Sequence, residues 1–323
     1  MINFGWTVDR VRHLQEMAGT VGRMPAEPPI SSMGSTGPPY VEEPLLIRDR
    51  LVSDGAQVTR PSIDPYREPV ETHVCLCRGK IRLSMPVVIK LHLNHPPPFS
   101  EPIIQAGYCM GILVDASETE CEKYQKYGEV LLADARLSAK GGYAGYVSNF
   151  YGMRKLEGPV FVKTSPMEKY PWLKHAAELG LDGVYIDEEI GGGTPLEVGI
   201  SVLDQELRAM GLRNEVSVVA GGWSVRGSDD IYKLVALGAD AVVISKAVEY
   251  AVGYPEHKIF GDVLRERVEN LLVGIQRELK LLAGAAGVSS IFNSLVGNRE
   301  LLRAVELEKS LRQKLGVKQA GVG

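Results

Sequence analysis

Two buried strands joined by one amphipathic helix constrain this chain more than any other feature. The run Val216-Ser-Val-Val-Ala-Gly-Gly-Trp-Ser-Val-Arg-Gly-Ser-Asp-Asp230 leads into Lys233-Leu-Val-Ala-Leu-Gly-Ala-Asp-Ala-Val-Val-Ile-Ser-Lys246. It reads as strand, Gly-Gly turn, helix, Gly-Ala-Asp turn, second strand, and a small polar pair opening another helix. Two consecutive βα turns of this kind are how a (β/α)8 barrel builds a phosphate site at its C-terminal face, from the loops after strands seven and eight. Gly221 and Gly222 let a ligand approach the backbone with no Cβ in the way. Ser245 and Lys246 present amides at a helix start, where the dipole favours an anion. The competing reading is an ordinary βαβ unit whose glycines serve only the turns.

The rest of the chain repeats the alternation. Pro86–Leu91, Gly111–Val114, Glu129–Ala135, Gly158–Lys163, Gly183–Asp187, Val216–Ala220 and Ala241–Ser245 are short apolar runs of the buried parallel type. Helical segments separate most of them, at Ile103–Met110, Glu118–Tyr127, Tyr170–Leu179, Leu196–Met210 and Asp229–Leu237. An eighth strand hides within Tyr143–Phe150, where glycine and tyrosine blur the pattern. Strands alternating with helices imply a parallel sheet, and eight close naturally as an α/β barrel, here of the (β/α)8 TIM type, complete or degenerate.

The domain reading has three parts. Residues 1–60, rich in glycine, proline and serine, form an irregular arm that is helical only at Val8–Met17. Residues 61–255 hold the barrel, entered through a paired element at Val70–Cys77 and Ile81–Leu83. Residues 256–323 form a helical extension, with Val263–Ala283 and Arg299–Leu315 both spaced for helices.

Composition excludes several classes. A net charge of −4 gives no electrostatic reason to expect nucleic acid or an anionic membrane surface. No apolar run reaches the ~18 residues of a membrane span, and the first ten residues hold no apolar signal-like core, so a cytoplasmic protein is expected. Cys75, Cys77, Cys109 and Cys121 have no zinc-like spacing with each other or with histidine, so no metal is expected and all four read as reduced, apolar side chains.

Several segments, in order, resemble the FMN-binding synthase domain of glutamate synthase, especially its short archaeal and bacterial forms. Ile63-Asp-Pro-Tyr-Arg-Glu-Pro-Val-Glu-Thr72 and Leu83-Ser-Met-Pro-Val-Val-Ile89 look like the family's entry into the first strand. Val160-Phe-Val-Lys163 resembles the strand whose lysine approaches the flavin. Val184-Tyr-Ile-Asp187 with Gly191-Gly-Gly-Thr-Pro-Leu196, and Ala220-Gly-Gly222 with Leu237-Gly-Ala-Asp-Ala-Val242, are similar to its later strands and loops. Glu278-Leu-Lys-Leu-Leu-Ala-Gly-Ala-Ala-Gly287 resembles the family's following helix.

The departures are as informative. Ala247–Glu269, where the family carries iron–sulfur cysteines, contains none, so no iron–sulfur cluster is expected. The family's loop after strand one is replaced by Lys90-Leu-His-Leu-Asn-His-Pro-Pro-Pro98, and the stretch between strands four and five is cut to a few residues.

The resemblance implies a flavoprotein that reductively aminates 2-oxoglutarate through 2-iminoglutarate using FMN. Nitrogen would come from ammonia or a glutaminase subunit, and electrons from a reductase or ferredoxin-type donor. Lys163 would hold the flavin ring, while Gly221, Gly222, Ser245 and Lys246 would hold its phosphate. Arg226 reads either as a phosphate clamp or as a solvated loop arginine. Asp187 and Glu188, with Glu189, read either as a general base and substrate-orienting group or as an acidic helix start. Lys163 likewise has a second reading, an ion pair with Asp187 or Glu188. His92 and His95 sit near the first strand's end as a weak metal or acid–base pair. The lost loop and cluster favour a different class, a catalytically silent paralogue serving as a structural or regulatory subunit. A third reading is another FMN or phosphate-ligand barrel, resembling type 2 isopentenyl diphosphate isomerase.

Overall fold

Eight parallel strands close into a barrel in which each strand pairs with its neighbour in sequence and the last returns to the first. The computed structural model describes residues 5–20, 46–92, 97–150, 156–255 and 259–321. The barrel strands are β1 (Val87–Lys90), β2 (Leu113–Asp115), β3 (Leu131–Asp134), β4 (Gly145–Ser148), β5 (Val160–Thr164), β6 (Gly183–Asp187), β7 (Ser217–Gly222) and β8 (Ala241–Ile244). β8 closes on β1 through Val242 opposite Val87 and Ile244 opposite Ile89. The β-branched runs suit this position because both faces of a barrel strand are covered, one by the interior and one by helices. Val87, Val88, Val184, Ile186, Val218, Val219 and Val243 are all buried.

The eighth strand is Gly145–Ser148, inside the stretch whose pattern was blurred. The βα rhythm is weakest there. Ala135–Lys140, after β3, is a 3-10 segment, and only residues 149–159 join β4 to β5.

Outside the barrel, the helix Val8–Gly19 packs on Lys246–Val252 and on the long helix Gly261–Ala285, burying Leu14, Met17 and Ala18. A hairpin of Val74–Leu76 and Ile81–Leu83 precedes β1. The continuous helix expected at Arg299–Leu315 is not formed. Arg299–Leu301 is a single 3-10 turn, Leu302–Ala304 is a strand, and only Lys309–Leu315 is helical. The cause is tertiary: Leu302–Ala304 pairs antiparallel with Leu51–Ser53, and Glu306 turns the chain at a φ of 53°. A backbone partner from the other end of the chain outweighs a helical spacing that is satisfied locally. Among the described residues, no helix is long and apolar enough to cross a membrane.

Candidate functional site at the barrel mouth

Parallel barrels gather functional groups at the C-terminal ends of their strands, because those ends and the loops that follow share one face. Here that face carries Lys90 at the end of β1, Asp115 at β2, Lys163 at β5, Asp187 at β6, and the Gly221–Gly222 turn at β7.

These charges form one belt of alternating sign. Lys163 Nζ lies 2.8 Å from Asp115 and 3.1 Å from Asp187. Asp187 is shared with Lys90 at 2.7 Å, and Lys90 reaches on to Glu189 at 2.8 Å. Glu189 accepts from the Ser245 hydroxyl at 3.0 Å and faces His92 at 3.4 Å. His92 then faces Glu249, which also takes Lys246 at 2.5 Å. Beneath the belt, Tyr185 donates its hydroxyl to Asp115 at 2.8 Å and sets its ring 4.3 Å under the Lys163 ammonium.

The protonation states follow from these contacts. Burial opposes the Lys163 charge, but Asp115 and Asp187 outweigh it and hold the ammonium above its ordinary range. Burial likewise opposes the Asp187 carboxylate, yet Lys163 and Lys90 draw it below the usual range. Tyr185 is pushed well up, by burial first and then by Asp115, and stays a neutral donor. Lys163 is therefore a fixed cation and not a candidate nucleophile.

Glu188 sits differently. Its carboxylate accepts from the Ser224 amide at 2.5 Å and the Ser224 hydroxyl at 2.6 Å. Burial raises its pKa, and Arg48 and the Ser224 hydrogen bonds only partly offset this. Gly222 has a φ of +145°, and a Cβ there would meet Glu188 Cγ at 2.8 Å. The space that the Gly-Gly turn opens is thus filled by Glu188.

Behind it lies a second network. The fully buried Arg48 donates to Glu197 at 2.6 Å and to the Ser224 carbonyl at 2.6 Å, and pairs with Asp230 at 3.2 Å. Arg226 grips Asp230 with two 2.8 Å hydrogen bonds and reaches Asp49 at 2.5 Å. It is not a solvated loop arginine: its guanidinium is nearly buried and held by two aspartates. The helix Val8–Gly19 and the residues leading into it roof the same loop: Trp6, ahead of the helix, donates to the Trp223 carbonyl at 3.1 Å, and Arg10 lies beside Asp229 at 3.5 Å.

The sequence thus named Lys163, Asp187, Glu188 and Glu189, and the structure brings them to one face. It missed Lys90, Asp115, Tyr185 and Arg48. The first two end apolar strands and carried that signal, whereas Arg48 lies in a stretch read as irregular and is recruited from far along the chain. His95 lies outside the described residues. A cavity of about 380 Å³ opens beside Lys163, lined also by Asp115, Ser117, Asp134 and Arg136. A larger one, about 830 Å³, lies at the opposite end of the barrel beside Ser217 and Asp240, away from this chemistry. Among the described residues, no group of three or more His, Cys, Asp or Glu is placed to hold a metal ion.

Several comparisons bear on the family. The family model for the conserved region in glutamate synthase matches residues 184–259, from β6 to just past β8. An archaeal-type glutamate synthase (NADPH) of Dehalococcoides mccartyi is 35% identical over 438 aligned positions, covering 99% of this chain and 85% of that protein. The archaeal glutamate synthase (NADPH) of Methanocaldococcus jannaschii is 28% identical over 420 positions, covering 90% of this chain and 81% of the relative. Both alignments run far beyond 323 positions, so these relatives carry segments that this chain skips. A mandelate oxidase solved with an FMN adduct superposes with a TM-score of 0.61 at 16% identity, over 93% of this chain and 100% of that one, a likeness of fold alone.

FMN is the group bound in that oxidase, and the side-chain donors of this mouth, as folded, do not stand open to it. A phosphate needs free donors, but the Ser224 amide and hydroxyl serve Glu188, the Ser245 hydroxyl serves Glu189, and Lys246 serves Glu249. A flavin ring edge needs a cation, but Lys163 already serves two carboxylates. Identity over nearly the whole length nonetheless settles descent, and the chain belongs to the glutamate synthase family.

Proposed function

We propose that this chain is a member of the glutamate synthase family that carries out no flavin chemistry of its own and serves as a structural or regulatory subunit beside an intact synthase. One observation carries this reading: Lys163, Arg226, Ser245 and Lys246, the side chains assigned to hold the cofactor, are each already engaged by a carboxylate of the same chain. Four carboxylates, from Asp115, Asp187, Glu189 and Glu249, face three lysines across the mouth, and a fifth, Glu188, takes the Ser224 donors. That balance disfavours a phosphate dianion.

A second reading, FMN-dependent reductive amination of 2-oxoglutarate, is favoured by Lys163, which ends β5 beside an open cavity. In that reading Lys163 would hold the ring edge, and Asp187 would orient the substrate amine. Redox chemistry would come from the flavin, nitrogen from ammonia or a glutaminase chain, and electrons from a separate donor. Titrating the purified protein with FMN and with riboflavin separates the two. The subunit reading expects a colourless protein with no preference for FMN over riboflavin, and co-elution with the intact synthase chain. Saturable, phosphate-dependent FMN binding sinks it and leaves the flavoprotein reading standing.

A further inference from the structure

We infer that Glu188 is an internal stand-in for a phosphate group, seated in an anion cradle that remains built, so that vacating it creates a site for a phosphate monoester or inorganic phosphate. This deepens the subunit reading and rests on it.

The cradle is recognisable by its donors. An amide and a hydroxyl from one residue, Ser224, converge on the two oxygens of one carboxylate, as they would on two oxygens of a phosphate. The turn that presents them is bare on its inner side, because Gly222 has no Cβ and holds a φ that side chains rarely adopt. Its position is fixed from behind by Arg48, which holds the Ser224 carbonyl and hydroxyl while anchored to Glu197 and Asp230. It is fixed from above by Trp6 on the Trp223 carbonyl. None of these supports depends on Glu188, so the donors keep their aim when its side chain is shortened. Arg48 also adds positive potential toward the carboxylate it faces. Glu188 itself is only partly buried, so a small anion has a route to the same place. A rigid, preorganised set of donors with a removable anion in it is a binding site whose occupant is tethered to the chain.

Two other details agree. Glu188 immediately follows β6, and its neighbour Glu189 takes the Ser245 hydroxyl, so consecutive acids face the loops after β7 and β8. The arrangement is intramolecular, so the carboxylate competes at a fixed effective concentration that a free phosphate must exceed to displace it.

The test is a calorimetric titration with inorganic phosphate at neutral pH. Glu188→Ala should bind at least tenfold more tightly than wild type. Glu188→Gln, which leaves the space filled, should gain less. Glu118→Ala removes a carboxylate elsewhere on the same face and should gain nothing. Equal gains in Glu188→Ala and Glu118→Ala, or in Glu188→Ala and Glu188→Gln, would mean that only long-range charge changed and would overturn the inference. If Glu188→Ala is unfolded without phosphate, added phosphate should restore its circular dichroism, and failure to do so, also in Glu188→Ser, counts against it. If wild type binds FMN in preference to riboflavin, the subunit reading fails. If wild type does not and Glu188→Ala gains nothing, only this inference fails.

Discussion

At the scale of single residues, the decisive feature is which neighbour a change would meet. Gly221 and Gly222 share a φ of +145°, so alanine at either strains the backbone. At Gly221 the new Cβ meets the Val243 carbonyl oxygen and amide nitrogen, backbone atoms of β8 that cannot give way. At Gly222 it meets the Glu188 side chain, which can swing. Gly221→Ala should therefore cost about 3 kcal/mol or more and Gly222→Ala about 1–2 kcal/mol, read from urea midpoints. The reverse order would show that Glu188 is held more firmly than β8. Lys163 makes a second case. Replacing it by methionine leaves Asp115 and Asp187 facing one another without their shared cation. Breaking a buried pair costs about 3–5 kcal/mol, but its side chain is 23% exposed, so solvent screening reduces this to about 2 kcal/mol. Glu118→Ala, whose side chain is 40% exposed, should cost under about 1 kcal/mol by the same measurement.

At the scale of elements, Asp204 on the helix Leu196–Ala209 shows how the scaffold is tied together. Its fully buried carboxylate receives Arg208 at 2.8 Å, Arg213 at 2.5 Å and Arg299 at 2.7 Å. Burial opposes its charge, and the three guanidinium groups outweigh that and hold it below the usual range. Asp204→Ala should cost about 3–5 kcal/mol because it strands buried guanidinium groups, whereas Arg208→Ala, at a half-exposed side chain, should cost under about 1 kcal/mol. Thermal and urea unfolding of both variants would measure this, and similar costs would mean the network is not centred on Asp204. Such ties explain what the sequence withheld. The strands were legible because β-branched runs between turn residues have one economical use, and β6 was bounded correctly by Gly183 and Asp187. The strand Leu302–Ala304 was not, because its partner Leu51–Ser53 lies at the far end of the chain. The mouth was half legible for the same reason: strand-end position marks Lys163 and Asp187, but only the closed barrel places Lys90 between Asp187 and Glu189. The two readings of Arg226, phosphate clamp or solvated loop arginine, came from its place after a Gly-Gly turn, with no local sign of Asp49.

At the scale of the whole molecule, buried charge sets the response to acid. Asp187, Asp204, Asp229 and Asp230 are all held below the ordinary carboxyl range, in each case by basic partners that overcome the cost of burial. Each adds stability that is fully present above the unfolded carboxyl value of about 4 and is lost as pH falls through its lower folded value. Glu188 and Asp240 are raised by burial, so their ionised forms cost stability near neutrality, and that cost disappears as pH falls through their raised values. Urea midpoints should therefore hold level or rise slightly from neutral pH toward about 5, then drop steeply below about 4. The slight rise should shrink in Glu188→Gln, and a steady decline from neutrality in wild type would contradict these assignments. The pairing of Leu51–Ser53 with Leu302–Ala304 has a bearing on synthesis as well as on stability. Chains emerge from the ribosome N-terminus first and fold by domains as they appear. The segment around Leu51 must therefore wait, with its strand edge unpaired, until about 250 further residues have been made, and β1 waits in the same way for β8. A ribosome that stalls before residue 241 leaves both edges exposed, and one that stalls between β8 and residue 302 leaves only the Leu51–Ser53 edge, so each edge has its own point in synthesis at which it stops being a hazard.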